Sequence, residues 1–122
     1  MQKSVLVIED EPHIVEAISF ILARDGWSVR SHGQGHDAVQ IVRGQPTDVL
    51  ILDVMLPGRS GYEILQELRA DATTRNLPIL MLTARGQAKD REMAERLGAT
   101  RVMTKPFSNT ELLESVRAMV AA

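Results

Sequence analysis

Five times along this chain a short β-like run gives way to a stretch with helical spacing, and that alternation restricts the fold more than any other property. The runs are Val5–Glu9, Trp27–Ser31, Val49–Asp53, Ile79–Thr83 and Arg101–Thr104. The first, third and fourth are nearly continuous aliphatic stretches, as in strands covered on both faces. Between the runs, Ile14, Ala17, Ile18, Ile21 and Leu22 form a stripe at helical spacing, and Gly26 follows as a stop. Ala38, Val39 and Val42 form a shorter stripe that ends at Gly44. Ser60-x-x-Glu63 and Ser108-x-x-Glu111 both fit the capping box, so each predicts a helix start. The faces that follow are Ile64, Leu65 and Leu68, then Leu112, Leu113, Val116 and Val120. Gln87–Leu97, with Met93, Ala94 and Leu97 as its main apolar positions, is expected to be the least firmly anchored helix. Such alternation through short loops predicts an α/β fold with a parallel sheet and right-handed crossovers. A single domain over residues 1–122 is expected, a length that buries roughly two-thirds of the unfolded surface without covalent staples.

Composition narrows the function. With no cysteine there is no disulfide framework, thiolate metal site or thiol nucleophile. His13, His32 and His36 lack zinc-ligand spacing and read as surface or helix-end residues. A net charge of −2 argues against a nucleic-acid surface. The apolar runs are too short to span a bilayer. The first strand begins within a few residues of the start, which leaves no room for a signal peptide, so a cytoplasmic location is expected.

In a parallel sheet of this kind ligands bind beyond the carboxyl ends of the strands. The first run ends in Glu9-Asp10-Glu11, the third in Asp53, the fourth in Thr83-Ala84, and the fifth leads into Thr104-Lys105-Pro106. Taken singly, each has an ordinary reading: Glu11 before Pro12 as a helix cap, Thr83 as a turn hydroxyl, Lys105 as a solvated charge. Together, Glu9, Asp10 and Asp53 make a patch of negative charge that needs a counter-charge. Lys105 is one. A hard divalent cation, Mg²⁺ before others, is the second, because carboxylates without nearby His or Cys favour oxygen-seeking ions. A carboxylate beside a cation, a lysine and a hydroxyl is suited to receive a phosphoryl group, with Asp53 as the nucleophile.

With these residues the chain resembles the receiver domains of bacterial two-component response regulators, the family of the chemotaxis regulator. The resemblance is carried by Val7-Ile8-Glu9-Asp10-Glu11, Leu52-Asp53-Val54-Met55-Leu56-Pro57-Gly58, Leu82-Thr83-Ala84 and Thr104-Lys105-Pro106-Phe107. It implies a flavodoxin-like doubly wound sheet with strand order 2-1-3-4-5 and helices on both faces. It implies that Asp53 is the phosphoacceptor. Asp10, Asp53 and the backbone carbonyl of Met55 would hold Mg²⁺, or Mn²⁺ in its place, with Glu9 acting through water. Thr83 and Lys105 would engage the phosphoryl group, and the Lys105–Pro106 bond would be cis. The donor would be a sensor histidine kinase or histidine phosphotransfer protein. The signal would leave through the face of the fourth helix, fifth strand and fifth helix, toward a protein target the sequence does not identify. The chain would not be an enzyme acting on a separate substrate; it would assist its own phosphorylation and slow dephosphorylation.

Two departures stand out. The family usually carries Tyr or Phe three residues before the lysine, where this chain has Val102. Many members that pair through the last two helices and fifth strand carry acidic residues at Thr100-Arg101, so a monomer or a weak phosphorylation-dependent dimer is expected. Met55 and Arg85 occupy positions that tune phosphoryl lifetime, and apolar Met55 predicts slow hydrolysis. Two rival readings share parts of the pattern. Gly33-x-Gly35-x-x-Ala38, with Asp53 twenty residues after Gly33, matches a dinucleotide fingerprint, although it follows the second strand rather than the first. A haloacid-dehalogenase-like phosphatase would use the same aspartate and Mg²⁺ logic, but it needs a second aspartate where Met55 stands.

Overall fold

Side chains alternate across the inner strands, so each of these strands feeds two separate cores. The computed structural model describes residues 2–84 and 88–120. Its elements are β1 (Ser4–Ile8), α1 (Pro12–Arg24), β2 (Ser28–His32), α2 (Ala38–Gly44) and β3 (Val49–Asp53). They continue with α3 (Gly61–Ala70), β4 (Ile79–Thr83), α4 (Ala88–Leu97), β5 (Arg101–Thr104) and α5 (Asn109–Val120). The strands form one parallel sheet in the order β2-β1-β3-β4-β5, as expected. On one face Val5, Val7, Val49, Ile51, Leu80 and Leu82 pack against α1 and α5. On the other, Leu6, Ile8, Leu50, Leu52, Ile79 and Met81 meet α2, α3 and α4.

The last three strands fall where the aliphatic runs end, while the first two are displaced by one residue. Trp27 explains the second shift. Its N–H bonds to Leu22 O at 3.0 Å, closing the end of α1, and its ring joins the α1/α5 core. Glu9 leaves β1 as a strand residue, but its N–H still bonds to His32 O at 3.0 Å.

The two serine caps differ. Ser108 makes the full reciprocal box: its Oγ accepts from Glu111 N–H at 3.0 Å, and Glu111 Oε1 accepts from Ser108 N–H at 3.3 Å. Ser60 Oγ accepts instead from Tyr62 N–H at 3.1 Å, and Glu63 turns toward Arg59. The expected helix start at Gln87 lies outside the described residues. α4 itself buries Ala94 alone, and Met93, expected on its apolar face, is exposed.

Candidate functional site

β1 and β3 are neighbours, yet the chain leaves β1 for β2 on one side and β3 for β4 on the other. Their carboxyl ends therefore face a crevice that no crossover covers. Glu9 and Lys105 extend the alternation of the α1/α5 face beyond β1 and β5, and Asp53 ends the same alternation in β3. That shared parity brings three residues from distant parts of the chain together. Lys105 Nζ lies 2.9 Å from Glu9 Oε1 and 3.2 Å from Asp53 Oδ1. Asp10, one step out of this parity, is exposed at the rim. One carboxylate oxygen from each of Glu9, Asp10 and Asp53 falls within 4.8 Å of the others.

The charges in this cluster do not balance. Glu9 and Asp53 are each only 2% exposed, against a single lysine. Burial pushes the Glu9 carboxyl up to about 7, against the hydrogen bonds from Lys105 and Glu11 N–H, while the charge of Asp53 raises it further. Burial also raises Asp53, opposed by the charge and hydrogen bond of Lys105, by Glu9 and by the Met55 N–H. Burial pulls Lys105 down, but the two carboxylates outweigh it and leave the amine raised. Glu9 Oε2 accepts from Glu11 N–H at 3.0 Å, whereas Oε1 is buried with Lys105 Nζ, at 2.9 Å, as its counter-charge. Crowded oxygens, two raised carboxyls and a single lysine between them fit a second cation of the hard, oxygen-seeking kind.

Other expected residues are placed less directly. Thr83 is buried at the end of β4, and its carbonyl accepts from Lys105 N–H at 2.8 Å. Met55 meets the Asp53 carboxyl through its backbone N–H while its side chain is 73% exposed. The Lys105–Pro106 bond is cis, as expected. Val102 packs on the α2/α3/α4 core. Arg85 lies outside the described residues. The glycines of Gly33-x-Gly35-x-x-Ala38 form no open cradle. A Cβ at Gly35 would come 2.3 Å from Arg59 O, and Gly35 N–H bonds to Pro57 O at 2.9 Å. Gly35 lets the β2–α2 loop press on the β3–α3 loop, while Gly33 lies beside Glu9 and Asp10.

The sequence reading missed a residue behind the aspartate. A Cβ at Gly61 would lie 2.1 Å from the Asp53 carbonyl oxygen and 2.9 Å from Val54 Cα. Only glycine lets the first turn of α3 abut the backbone of Asp53, where Gly61 N–H bonds to Val54 O at 2.9 Å. Its signal was a glycine directly after a capping serine, at a position where helix propensity offers no reason for one. Tyr62 and Asp90 were missed as well. The Tyr62 hydroxyl donates to Asp90 Oδ1 at 2.6 Å. Beside it opens a cavity of about 530 Å³ bordered by Asp10, Met55, Leu56, Ser60, Tyr62 and Asp90.

The model of the response regulator receiver domain matches residues 5–117, nearly the whole chain. The chain belongs to the response regulator receiver domain family. It is 39% identical over 117 residues to TcrX of Mycobacterium tuberculosis H37Rv, named as a transcriptional regulatory protein. The match takes in 96% of this receiver domain and 49% of TcrX, so the chain spans about half the length of that relative. A candidate response regulator of Chloroflexus aurantiacus J-10-fl superposes with a TM-score of 0.96 at 33% identity, covering 100% of both chains. The receiver domain of sensor histidine kinase PA1611 of Pseudomonas aeruginosa PAO1 is also similar, with a TM-score of 0.91, 30% identity and full coverage of both chains. That structure holds a magnesium ion in its active-site cleft. Among the described residues, no helix of this receiver domain is long and apolar enough to cross a membrane.

Proposed function

We propose that this receiver domain is a phosphorylation-dependent switch that accepts a phosphoryl group on Asp53. The observation that carries this reading is the buried Asp53 carboxylate, paired with Lys105 at 3.2 Å and clustered with Glu9 and Asp10. The donor is a phosphohistidine on a sensor histidine kinase or phosphotransfer protein. An Asp53 oxygen attacks phosphorus, the P–N bond breaks, and its electron pair leaves with the imidazole, so an acyl phosphate forms. Mg²⁺ held by Asp10, Asp53 and the Met55 carbonyl, with Glu9 acting through water, would supply positive charge opposite the phosphoryl oxygens. Lys105, already within reach of Asp53, offsets charge on the transferred group, and Thr83 donates a hydrogen bond to it.

The domain turns over no separate substrate and acts in the cytoplasm. The exposed, apolar Met55 side chain offers an attacking water no hydrogen-bond partner, so the acyl phosphate is long-lived. The signal leaves by the α4–β5–α5 face, where Arg101 favours a monomer or weak phosphorylation-dependent dimer. The test is incubation with a small acyl phosphate and Mg²⁺, followed by intact mass. One phosphoryl group should be gained by the parent and none by Asp53→Asn. A gain that persists in the variant would place the chemistry elsewhere.

A further inference from the structure

α3 and α4 lie on the same face of the sheet but are held very differently. α3 buries Gly61, Ile64, Leu65 and Leu68, whereas α4 buries Ala94 alone. With so little apolar anchorage, the position of α4 depends on polar contacts near its two ends. Just beyond its carboxyl end, Arg69 Nε donates to Gly98 O at 2.7 Å, and the same guanidinium donates to Thr100 Oγ1 and Leu77 O. Among the described residues, the firm polar contact of its first turn is the Tyr62 hydroxyl, 2.6 Å from Asp90 Oδ1 and 3.3 Å from Asp90 O. Arg91 Nη2 reaches Val102 O only at 3.5 Å. Tyr62 and Asp90 border the same cavity as Asp10 and Met55, next to the phosphoacceptor.

We propose that the Tyr62–Asp90 hydrogen bond is a latch on α4, made in the unmodified protein and released when Asp53 is phosphorylated. Made, it holds the amino-terminal end of α4 against α3 beside the carboxylate cluster. Released, it frees that end to swing about the end pinned by Arg69. The trigger is charge. A phosphoryl group adds about −1.5 to −2 beside carboxylates that already crowd the site, and like-charge repulsion then disfavours Asp90 at the cavity wall. Tyr62 and Asp90 thus make the two-state element between Asp53 and the α4 surface. By thermodynamic reciprocity, weakening the latch must also favour phosphorylation. The coupling half of this proposal rests on the phosphoacceptor reading; the holding half does not.

Two readouts on the full chain test the halves separately: amide hydrogen exchange over residues 88–97, and the final extent of mass gain across a titration of a small acyl phosphate with Mg²⁺. Tyr62→Phe removes the hydroxyl and keeps the ring. Exchange in α4 should rise about tenfold in the unmodified variant, the factor that matches about 1.4 kcal/mol. Asp90→Asn, which still accepts the hydroxyl proton without the charge, should fall between parent and Tyr62→Phe. Phosphorylating the parent should bring α4 to the exchange seen in unmodified Tyr62→Phe, and at a sub-saturating donor concentration that variant should reach a several-fold higher ratio of phosphorylated to unmodified protein. Unchanged α4 exchange in both variants overturns the latch. A parent that gains a phosphoryl group on Asp53 with α4 protection unaltered overturns the coupling. A parent that gains no mass refutes the phosphoacceptor reading and the coupling with it, while the exchange comparison between parent and variant still decides whether the bond holds α4.

Discussion

Two partly buried cations, Lys105 and Arg69, sit at opposite edges of the sheet and do opposite things. Arg69, at the amino edge, faces neutral acceptors: the carbonyls of Thr74, Arg75, Leu77 and Gly98 and the Thr100 hydroxyl. It stitches the end of α3 to the turns before β4 and β5. Lys105, at the carboxyl edge, faces two buried carboxylates, Glu9 at 2.9 Å and Asp53 at 3.2 Å, with one positive charge for both. A polar group that serves the fold ends up satisfied. At the carboxyl edge two buried carboxylates outnumber one lysine, an imbalance that the proposed Mg²⁺ would offset.

The largest expected effect tests whether the carboxyl edge tolerates any displacement. Gly61→Ala places a methyl into the Asp53 carbonyl, so α3 must shift, at a cost of roughly 3 kcal/mol. Urea melts should show that loss, and acyl-phosphate labelling of Asp53 should slow with it. A variant as stable as the parent would mean α3 does not brace Asp53. At the amino edge, Arg69→Ala should cost roughly 2 kcal/mol by freeing several carbonyls. It should leave the labelling of Asp53 intact; a matching loss of labelling would erase the contrast between the edges.

Smaller effects sharpen it. Glu9→Gln removes one of the two buried charges, so the metal-free protein should gain about 1 kcal/mol while its Tm responds less to added Mg²⁺ than the parent's. A variant less stable than the parent without metal would show that Glu9 is a structural anchor. Least of all should be the pH response of the ordinary surface pairs. The Arg117 hydrogen bond holds Asp25 below the usual carboxylate range, His32 does so for Asp37, and the backbone N–H and hydroxyl of Thr73 do so for Asp71. Folded values below unfolded ones mean that this stability is present above pH ~4 and fades as pH falls through the depressed values. Asp25→Asn should flatten the acid limb of a pH–Tm curve slightly and leave the rest unchanged.

Much of this was legible in the residue order. β3 and β4 match their runs, continuous aliphatic stretches that end in Asp53 and Thr83, and the short β5 matches its run as well. β1 and β2 slid by one, since Glu9 and Trp27 took their side chains inward for tertiary reasons that a local pattern does not carry. Ser108 capped as its spacing implied. Ser60 did not complete its box, because Arg59 drew Glu63 away. Asp53, Asp10, Glu9 and Lys105 could be named in advance, since parallel strands must all end on one side of their sheet. Thr83 reached the same edge, buried at the end of β4, where its carbonyl accepts from Lys105 N–H.

Periodicity depends on neighbours a few positions apart, so the alternation, the sheet and the acidic edge follow from the order of residues alone. Gly61 against the Asp53 carbonyl, Lys105 between Glu9 and Asp53, and Tyr62 on Asp90 depend on where separate segments come to rest, to within a few tenths of an ångström. No local pattern encodes such distances. They arise when two cores close on both faces of one sheet and bring the ends of its strands, and the first turns of α3 and α4, to a common edge.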